Sequence, residues 1–344
     1  MRASALIMIL SSGLCAFLLF YLGAVAKRIG LVDIPDARKQ HDQPVQLVGG
    51  LAIWGSLITV GLLVPASLGE FRILLFCVFL ILITGLLDDY KEIQPTIRII
   101  VQVICGFVLV YFGGSVVTSL GEVFFLAKPY GLGLAAIPFS IIAVVGTINA
   151  FNMCDGHDGL AGSLLLIGFG SLTILAVMNG SAYAVMLAII ALTLVPFLIF
   201  NLGGIVGKNR QVFLGDAGSM SLGLLAVFFL IELSKVGTGV VKVTAAPWLI
   251  ALPLLDMMGV MIFRIKRNKS PFQPDRFHIH HLLIDLGWSK NKVLSVLVLV
   301  QLGFALIGIV GTLCNWNDGV LMWSAFGVLF LYLGVIARLR EYNA

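Results

Sequence analysis

Long apolar runs recur along the whole chain, and they restrict its possible folds more than any other feature. Each run is about 17 to 25 residues long, which is the length that an α-helix needs to cross the hydrocarbon core of a bilayer. The eleven runs cover residues 4–26, 47–69, 72–87, 97–114, 132–153, 160–178, 182–201, 217–233, 247–263, 292–313 and 319–336. Because they are continuous rather than alternating, they disfavour a transmembrane β-barrel. The sequence therefore predicts an all-α integral membrane protein with about eleven (10–11) transmembrane helices.

The composition supports this fold class. Of the 344 residues, 60% are hydrophobic and only 11% are charged, and the mean hydropathy is +1.07. One globular interior could not bury that much apolar surface. No polar stretch is long enough for a soluble domain, so we predict a single membrane domain. It covers residues 1–344, with its main loops at 27–46, 88–96, 202–216 and 264–291.

Basic residues are unevenly divided between the two sides that these spans define. If the N-terminus is outside, 17 of the 22 Lys and Arg residues lie in the inside segments. Cytoplasmic loops carry such an excess, so we predict that the C-terminus and the long loops are cytoplasmic. Residues 24–26 resemble a signal-peptidase site, but the length of the first apolar run and the basic pair at 27–28 favour an uncleaved span.

Acidic residues and histidines gather on the predicted cytoplasmic side. Twelve of the 17 acidic residues lie there or at span ends that face it, and so do all five histidines. Unpaired polar groups are expensive at the ends of membrane helices. The clusters they form therefore indicate a functional surface. The five cysteines, by contrast, are scattered without a CxxC pair and suggest neither a zinc site nor a disulfide framework.

The first cluster ends the third apolar run, where Asp88, Asp89 and Glu92 form a DDxxE pattern. Such hard oxygen ligands hold Mg²⁺ while substrate phosphates complete its coordination. Neighbouring residues on a helix diverge by about 100°, so both aspartates serve one ion only if the helix end loosens. Otherwise they bind different partners. A solvated helix end is the alternative, although acids at a helix C-terminus oppose the macrodipole.

The second cluster is the stretch NAFNMCDGHDGLAG at residues 149–162, between two spans. Its glycines favour a tight loop whose backbone amides can approach an anion. Asp158 could instead cap the following helix. Capping does not explain Asn152 and Asp155, which lie at the inner end of a membrane helix. His157 is a minor candidate.

The third cluster, VFLGDAGS at residues 212–219, places Phe213 three residues before Asp216. The aromatic ring could stack on a base while the acid binds a metal ion. Asp216 could also cap the helix that follows. Alone, the motif is weak.

The fourth cluster combines Arg276 with the HIHH run at residues 278–281. Three histidines so close together could form a zinc site. No cysteine or carboxylate stands at a familiar ligand spacing, so phosphate binding and proton handling fit better.

Together, the four clusters indicate phosphoryl-group chemistry at the membrane surface. The chain has neither a GxxxxGK[ST] nor an HRD motif, so it is not a P-loop protein or a protein kinase. A secondary transporter for an anionic solute is an alternative, but transporters place polar sites near the bilayer midplane. A structural scaffold would not explain the clustered acids and histidines.

The motifs resemble those of the polyprenyl-phosphate N-acetylhexosamine-1-phosphate transferases. The matching segments, in order, are GLVDIPDARKQH, LVGG, GLLDD, NAFNMCDGHDGLAG, VFLGDAGS, LPLLD and SPFQPDRFHIHH. The resemblance implies transfer of a sugar 1-phosphate from a UDP-sugar to undecaprenyl phosphate with release of UMP. It also implies a Mg²⁺ cofactor, for which Mn²⁺ can substitute, and a helical fold with a cytoplasmic cleft in the bacterial inner membrane. The expected partners are the two substrates and membrane lipid, with a homodimer possible and no nucleic acid.

Site residues follow from the same resemblance. It implies catalytic roles for Asp88, Asp89, Asp155 and Asp158, metal binding by Asp216 and Asp89, and substrate binding by Asn152, Asn201, Phe213, Arg276, His278, His280 and His281. Asp88 matches a carboxylate proposed to deprotonate or orient the lipid phosphate, and Phe213 matches a position that stacks on uracil. We favour direct attack over a covalent aspartyl intermediate, because metal clamping and positioning suffice for phosphoryl transfer. Asp256, inside the ninth span, is expected to be functional or paired.

The HIHH form is similar to the subgroup that uses UDP-N-acetylglucosamine to start O-antigen, common-antigen or teichoic acid linkage units. The muramoyl-pentapeptide branch usually has three consecutive histidines and a different loop, whereas here Ile279 interrupts the histidines and the loop reads QLVGG. Another UDP-N-acetylhexosamine remains the alternative donor.

Overall fold

The computed structural model describes residues 2–34, 43–63, 71–125, 128–271 and 277–342. Within these ranges the chain forms twelve α-helices. They are Arg2–Ile29 (α1), Gly49–Leu63 (α2), Arg72–Lys91 (α3), Pro95–Tyr111 (α4), Ala136–Cys154 (α5), Leu160–Met178 (α6), Ala184–Leu202 (α7), Gly215–Ser234 (α8), Ala251–Lys266 (α9), Ile279–Asp285 (α10), Lys290–Leu313 (α11) and Asp318–Tyr342 (α12).

The apolar helices agree with the predicted spans. Among the described residues, nine helices are long and apolar enough to cross a membrane. Two shorter apolar helices, α2 and α4, account for the remaining two predicted runs. The structure therefore confirms an all-α, multi-pass membrane protein. The short helix α10 was not predicted and lies in the expected 264–291 loop.

Helix α8 forms the centre of the bundle and is almost completely buried. It packs closely against α2 and α3 because glycines remove the side chains between the backbones. A Cβ atom on Gly50 would lie 2.4 Å from the Cα atom of Gly218, and one on Gly85 would lie 2.4 Å from the Cα atom of Ala217. These contacts place the N-terminus of α8 directly beside the C-terminal turns of α3.

A small sheet that the sequence did not predict joins two of the long loops. Strand β1 (Val32–Asp33) pairs antiparallel with β2 (Val45–Leu47), which in turn pairs in parallel with β3 (Val212–Phe213). Gln46 lies opposite Val212 in this register. The segment after α1 is thereby fixed against the segment that leads into α8. Strands of two or three residues are too short to show an alternating sequence pattern.

The helix ends form two faces of the bundle. We use the term site face for the end at which α3, α5, α7 and α9 finish and α4, α6, α8 and α11 begin. The opposite face carries Glu232 at the end of α8 and Asp318 at the start of α12. Both faces contain contacts between residues that are distant in the sequence. The predicted functional residues take part in such contacts on the site face.

Candidate active site

An arginine joins two of the predicted carboxylates on the site face. Arg98 Nη1 forms an ion pair with Asp88 Oδ2 and lies 3.4 Å from Asp216 Oδ2. The other carboxylate oxygen of Asp88 accepts a hydrogen bond of 2.8 Å from the Ile93 amide. Asp88 is buried and both of its oxygens have partners. In this conformation it orients Arg98.

Arg98 is not among the site residues predicted from the sequence. The sequence does contain an indication of its role, because Arg98 lies in the first turn of α4, just after Pro95. A cation at a helix N-terminus is unfavourable with respect to the macrodipole. Such a residue is expected to have an anionic partner, and the nearest motif supplies Asp88.

Asp89 points away from Asp88 and binds the N-terminus of α8. Its Oδ1 accepts a hydrogen bond of 2.8 Å from the Asp216 amide, and its Oδ2 accepts one of 3.2 Å from the Ala217 amide. The residue before α8, Leu214, provides no side-chain cap, so Asp89 caps α8 from another helix. The two adjacent aspartates thus have different partners, which was one of the two alternatives derived from the sequence.

Gly215 makes this contact possible. Its φ angle is +75°, and a Cβ atom there would lie 2.7 Å from Asp89 Oδ2. Only glycine combines this backbone conformation with the close approach of the carboxylate. The proposed metal-binding role of Asp89 stays a prediction, since both of its oxygens are engaged by backbone amides here.

Asp216 is held from two sides. Asn152 donates from Nδ2 to Asp216 Oδ1 at 2.6 Å and to Ser219 Oγ at 3.1 Å. Arg98 lies on the other oxygen. The Asp216 side chain nevertheless keeps 32% of its surface exposed. It is therefore a positioned carboxylate with room for a further ligand.

The loop between α5 and α6 is the tight turn that its glycines predicted. Gly159 is the residue before α6 and has a left-handed φ of +80°, and no side chain caps this helix. Asp158 is therefore not its cap. The Gly159 amide instead donates a hydrogen bond of 2.6 Å to Asn201 Oδ1.

Asp155 lies at the end of α5, close to the other carboxylates. Burial raises its pKa well above the usual value, and the negative charges of Asp216, Asp89 and Asp158 raise it further. A hydrogen bond from the Gly215 amide acts in the opposite direction. The predicted carboxylates Asp88, Asp89, Asp155 and Asp216 are thus brought together from three different parts of the chain.

Asn201 connects loops rather than lining the cavity. It accepts from Gly159, and its Nδ2 donates to the Val212 carbonyl at 2.8 Å. Its own carbonyl accepts a hydrogen bond of 2.8 Å from Gln211 Nε2. The contact of Asn201 with nucleotide stays a prediction. In the structure its side chain holds the α5–α6 loop and the segment before α8 together. Phe213, predicted to stack on uracil, is half-buried in β3, three residues before Asp216.

His278 is oriented by Asp256, the intramembrane acid of α9. His278 Nδ1 lies 2.7 Å from Asp256 Oδ2, while Oδ1 accepts hydrogen bonds of 3.0 Å from the Ile279 amide and 2.7 Å from the Tyr332 hydroxyl. Asp256 is only 2% exposed. Asp256 is therefore paired. The sequence had predicted that this acid is either functional or paired.

The histidines form a stack. The ring of His280 lies 4.2 Å from that of His281, 5.6 Å from His278 and 6.0 Å from His157, measured between centroids. Neither ring nitrogen of His280 has a hydrogen-bond partner within the described part of the chain. Burial lowers the pKa of His280 well below its usual value, and the neighbouring histidines lower it further. Burial also lowers the pKa of His157.

Some of these side chains line a cavity of about 270 Å³. Its lining residues are Pro95, Arg98, Ile99, Asn149, Asn152, Met153, Asp155, Gly156, Arg264, His278, His280 and His281. Two cations and three imidazoles thus share one space of ligand size with two amides and the carboxylate of Asp155. Arg264, like Arg98, is not among the site residues predicted from the sequence. Both belong to the 17 basic residues predicted to lie on the inside. The predicted residue Arg276 lies outside the described residues.

The carboxylates of the site are candidate ligands for a divalent cation. Within the described ranges, no three His, Cys, Asp or Glu side chains are grouped as a ready-made metal site. Mg²⁺ is usually held by one or two carboxylates together with substrate phosphates. The positioned, partly exposed carboxylate of Asp216 fits that requirement. The Mg²⁺ cofactor stays a prediction.

Fold and site define the class: a multi-pass membrane protein with a polar cavity at one end of its helix bundle. Residues 71–234 match the model of glycosyl transferase family 4. The chain is 35% identical over 320 residues to the undecaprenyl-phosphate alpha-N-acetylglucosaminyl 1-phosphate transferase of Yersinia pestis, covering 92% of this chain and 86% of that one. It is 34% identical over 318 residues to the protein of that name from Escherichia coli (strain K12), with 91% and 84% covered.

A third relative of the same name, from Haemophilus influenzae, is 33% identical over 328 residues, with 92% of this chain and 90% of that one covered. The chain belongs to glycosyl transferase family 4, in the branch that contains these transferases. This confirms the resemblance found in the sequence motifs.

Proposed function

We propose that the protein transfers N-acetylglucosamine 1-phosphate from UDP-N-acetylglucosamine to undecaprenyl phosphate and releases UMP. The observation that carries this proposal is the similarity, over about nine-tenths of the chain, to transferases named for that reaction. The cavity supports it, because two arginines, three histidines and the carboxylate of Asp155 lie around one space. The product would be undecaprenyl-diphospho-N-acetylglucosamine, the first lipid-linked intermediate of a cell-surface polysaccharide.

The reaction exchanges one phosphorus–oxygen bond for another. An oxygen of the lipid phosphate attacks the β-phosphorus of the UDP-sugar, and the bond from that phosphorus to the bridging oxygen breaks. UMP leaves with the bonding electron pair. Most of the work required of the protein is to hold two anions in line and to balance their charge.

The described residues divide this work. Arg98 and Arg264 face the cavity as fixed cations for the phosphates. His278, oriented through its Nδ1 atom by Asp256, presents its other nitrogen as a hydrogen-bonding group. Asp88 orients Arg98 through their ion pair, so in this conformation it acts on the phosphate through the arginine rather than as a proton acceptor. A divalent cation on Asp216 would neutralise the diphosphate as bond breaking adds charge to the leaving group.

We further propose that the site face lies in the cytoplasm of a bacterium, at the inner membrane. The bias of 17 of the 22 basic residues towards the segments on that side supports this orientation. Most of the acidic residues gather at helix ends on this face, and Asp256, which lies inside α9, is paired with His278 and Tyr332. A transport function therefore has no specific observation in its favour.

The test is UMP release by the purified full-length chain, supplied with undecaprenyl phosphate, Mg²⁺ and one UDP-sugar at a time. We expect release with UDP-N-acetylglucosamine, less with UDP-N-acetylgalactosamine, and none without the lipid. Omission of Mg²⁺ in the presence of a chelator should stop the reaction, and Mn²⁺ should restore it. No UMP with any donor would refute the transferase function; preference for another N-acetylhexosamine would refute only the donor.

A further inference from the structure

A second cavity of about 300 Å³ opens on the site face between α1, α7 and the short turn 208–210. We call it the α1–α7 cleft. Its lining residues are Leu19, Phe20, Gly23, Ala24, Lys27, Gln46, Phe200, Asn209 and Arg210. It shares no lining residue with the active-site cavity. None of the roles discussed above uses it.

Two cations line the cleft and are not neutralised. Lys27 donates a hydrogen bond of 2.8 Å to the Asn209 carbonyl, and the Arg210 guanidinium lies 4.8 Å from the ring centroid of Phe20. Neither forms a salt bridge with a carboxylate within the described ranges of the chain. Gln46, which is 2% exposed, adds a buried polar side chain to the lining. The polar part of the cleft therefore suits an anion.

The rest of the cleft is apolar and continues onto the outer surface of a membrane helix. Phe20 lies seven residues before Lys27 in α1, which is about 10 Å along the helix axis. Phe17, Phe20 and Tyr21 are each more than half exposed on α1. A ligand that binds the cations thus has an aromatic surface beneath it, directed into the membrane. This arrangement matches an anion that carries a hydrocarbon chain.

We propose that the α1–α7 cleft binds the phosphate headgroup of an anionic phospholipid of the surrounding membrane. Lys27 and Arg210 contact the phosphate, and an acyl chain lies along Phe20 and the exposed face of α1. A free phosphate ion would leave this apolar surface uncovered. The acceptor lipid is the less suitable occupant, because the cleft is separate from the cavity at which its phosphate would react.

Binding at this site has a route to the active site. Gln46 in the cleft belongs to β2 and lies opposite Val212 of β3. Strand β3 is followed, after Leu214, by Gly215 and Asp216. A lipid that stabilises the sheet therefore stabilises the segment that positions a predicted metal-binding carboxylate.

The experiment is native mass spectrometry of the purified full-length chain in detergent, titrated with dioleoylphosphatidylglycerol or dioleoylphosphatidylcholine. We expect at least 10-fold tighter binding of the anionic lipid, falling as salt is raised because the contact is electrostatic. The double variant Lys27→Gln/Arg210→Gln should lose this preference. Lys269→Gln/Arg338→Gln is the matched control, since it removes two exposed cations from the same face and should keep it.

A second pair of variants keeps both charges. It distinguishes loss of the cleft from misfolding of the charge-removing double variant. Gly23→Leu should fill the cleft and weaken phosphatidylglycerol binding. Gly23→Ala should not, because its Cβ atom would make an ordinary contact of 3.4 Å with Gln46 Oε1. Equal binding of the two lipids, or an unchanged preference in the double variant and in Gly23→Leu, would overturn the proposal. Displacement of phosphatidylglycerol from the cleft by a tighter-binding polyprenyl phosphate would also overturn it, in favour of the acceptor.

Discussion

The two ends of the bundle both carry ionised side chains, but they use them differently. On the opposite face, Asp318 accepts hydrogen bonds of 3.0 Å from the Glu122 amide and 2.7 Å from Thr244 Oγ1, and it lies 3.6 Å from Lys242 Nζ. Glu232 is likewise paired with Lys235 at 2.6 Å. Asp318 and Glu232 thus each have a cation of their own, and the contacts of Asp318 join loops that are distant in the sequence.

On the site face, charges of the same sign are placed side by side. Asp88 and Asp216 share the single guanidinium of Arg98, and Asp155 lies close enough to Asp216 for their charges to interact. Such a surplus of carboxylates destabilises a fold unless a ligand or cation compensates it. A carboxylate with a cation of its own therefore marks a structural contact. Carboxylates that outnumber their cations beside a cavity mark a binding site.

The largest effect should come from Asp216→Asn. Removing this charge should lower kcat for UMP release by about 10³-fold or more, because the variant loses both the Arg98 partner and the proposed metal ligand. Membrane insertion and the thermal unfolding midpoint should change little. Activity within 10-fold of the parent protein would refute the role of Asp216.

Arg98→Lys should have the next largest effect, about a 10²-fold loss of kcat/KM. Lysine keeps the charge, but its shorter side chain does not place a nitrogen where Arg98 Nη1 contacts both carboxylates. Guanidinium ions added to Arg98→Ala at millimolar concentration should restore part of the activity. If Arg98→Lys is fully active, a point charge suffices and the bridging geometry has no function.

Asp256→Asn should lower kcat/KM by about 10-fold, a size typical of residues that orient a functional histidine. Asp256 acts through His278, so the pH profile of kcat/KM should shift together with the rate. Tyr332→Phe removes one donor to the same carboxylate and should cause a smaller shift in the same direction. A rate loss without any change in the pH profile would indicate that Asp256 only supports the fold.

Asp318→Asn is the matched substitution on the opposite face. We expect activity within about 3-fold of the parent protein and a lower thermal unfolding midpoint by a few degrees, since the change weakens partly exposed contacts. A severe loss of UMP release at temperatures at which the variant is folded would contradict the distinction between the two faces.

His280→Gln should reveal a small pH-dependent contribution to stability. The pKa of His280 is lowered in the folded protein from its ordinary 6.5. Below pH 6.5 the unfolded chain therefore takes up a proton that the folded chain does not, and stability falls as the pH decreases. The loss should be at most about 1.4 kcal/mol at pH 5.5. Unfolding midpoints measured from pH 7.5 to 5.5 should fall less in the variant; equal slopes would exclude this contribution.

The sequence predicted the spans, and it singled out carboxylates that the structure brings together, because both stand out as local patterns. Apolar runs specify helices, and carboxylates at their ends are conspicuous in so apolar a chain. The capping of α8 by Asp89 was not predictable, because the contacting residues are 127 and 128 positions apart. The same applies to the bracing role of Asn201, whose amide resembles a ligand-binding group until its partners Gly159 and Val212 are known. The position of Arg98 in the first turn of a helix indicates that it needs an anionic partner. Only the fold shows that this partner is Asp88.

The glycine contacts around α8 fix one side of the site. At Gly50, Gly85 and Gly215 no side chain can be added without pushing α8 away from the carboxylates. Three residues that carry no functional group are therefore as constrained in evolution as the acids they position. A lineage can lose activity by mutation at these glycines while every carboxylate is retained.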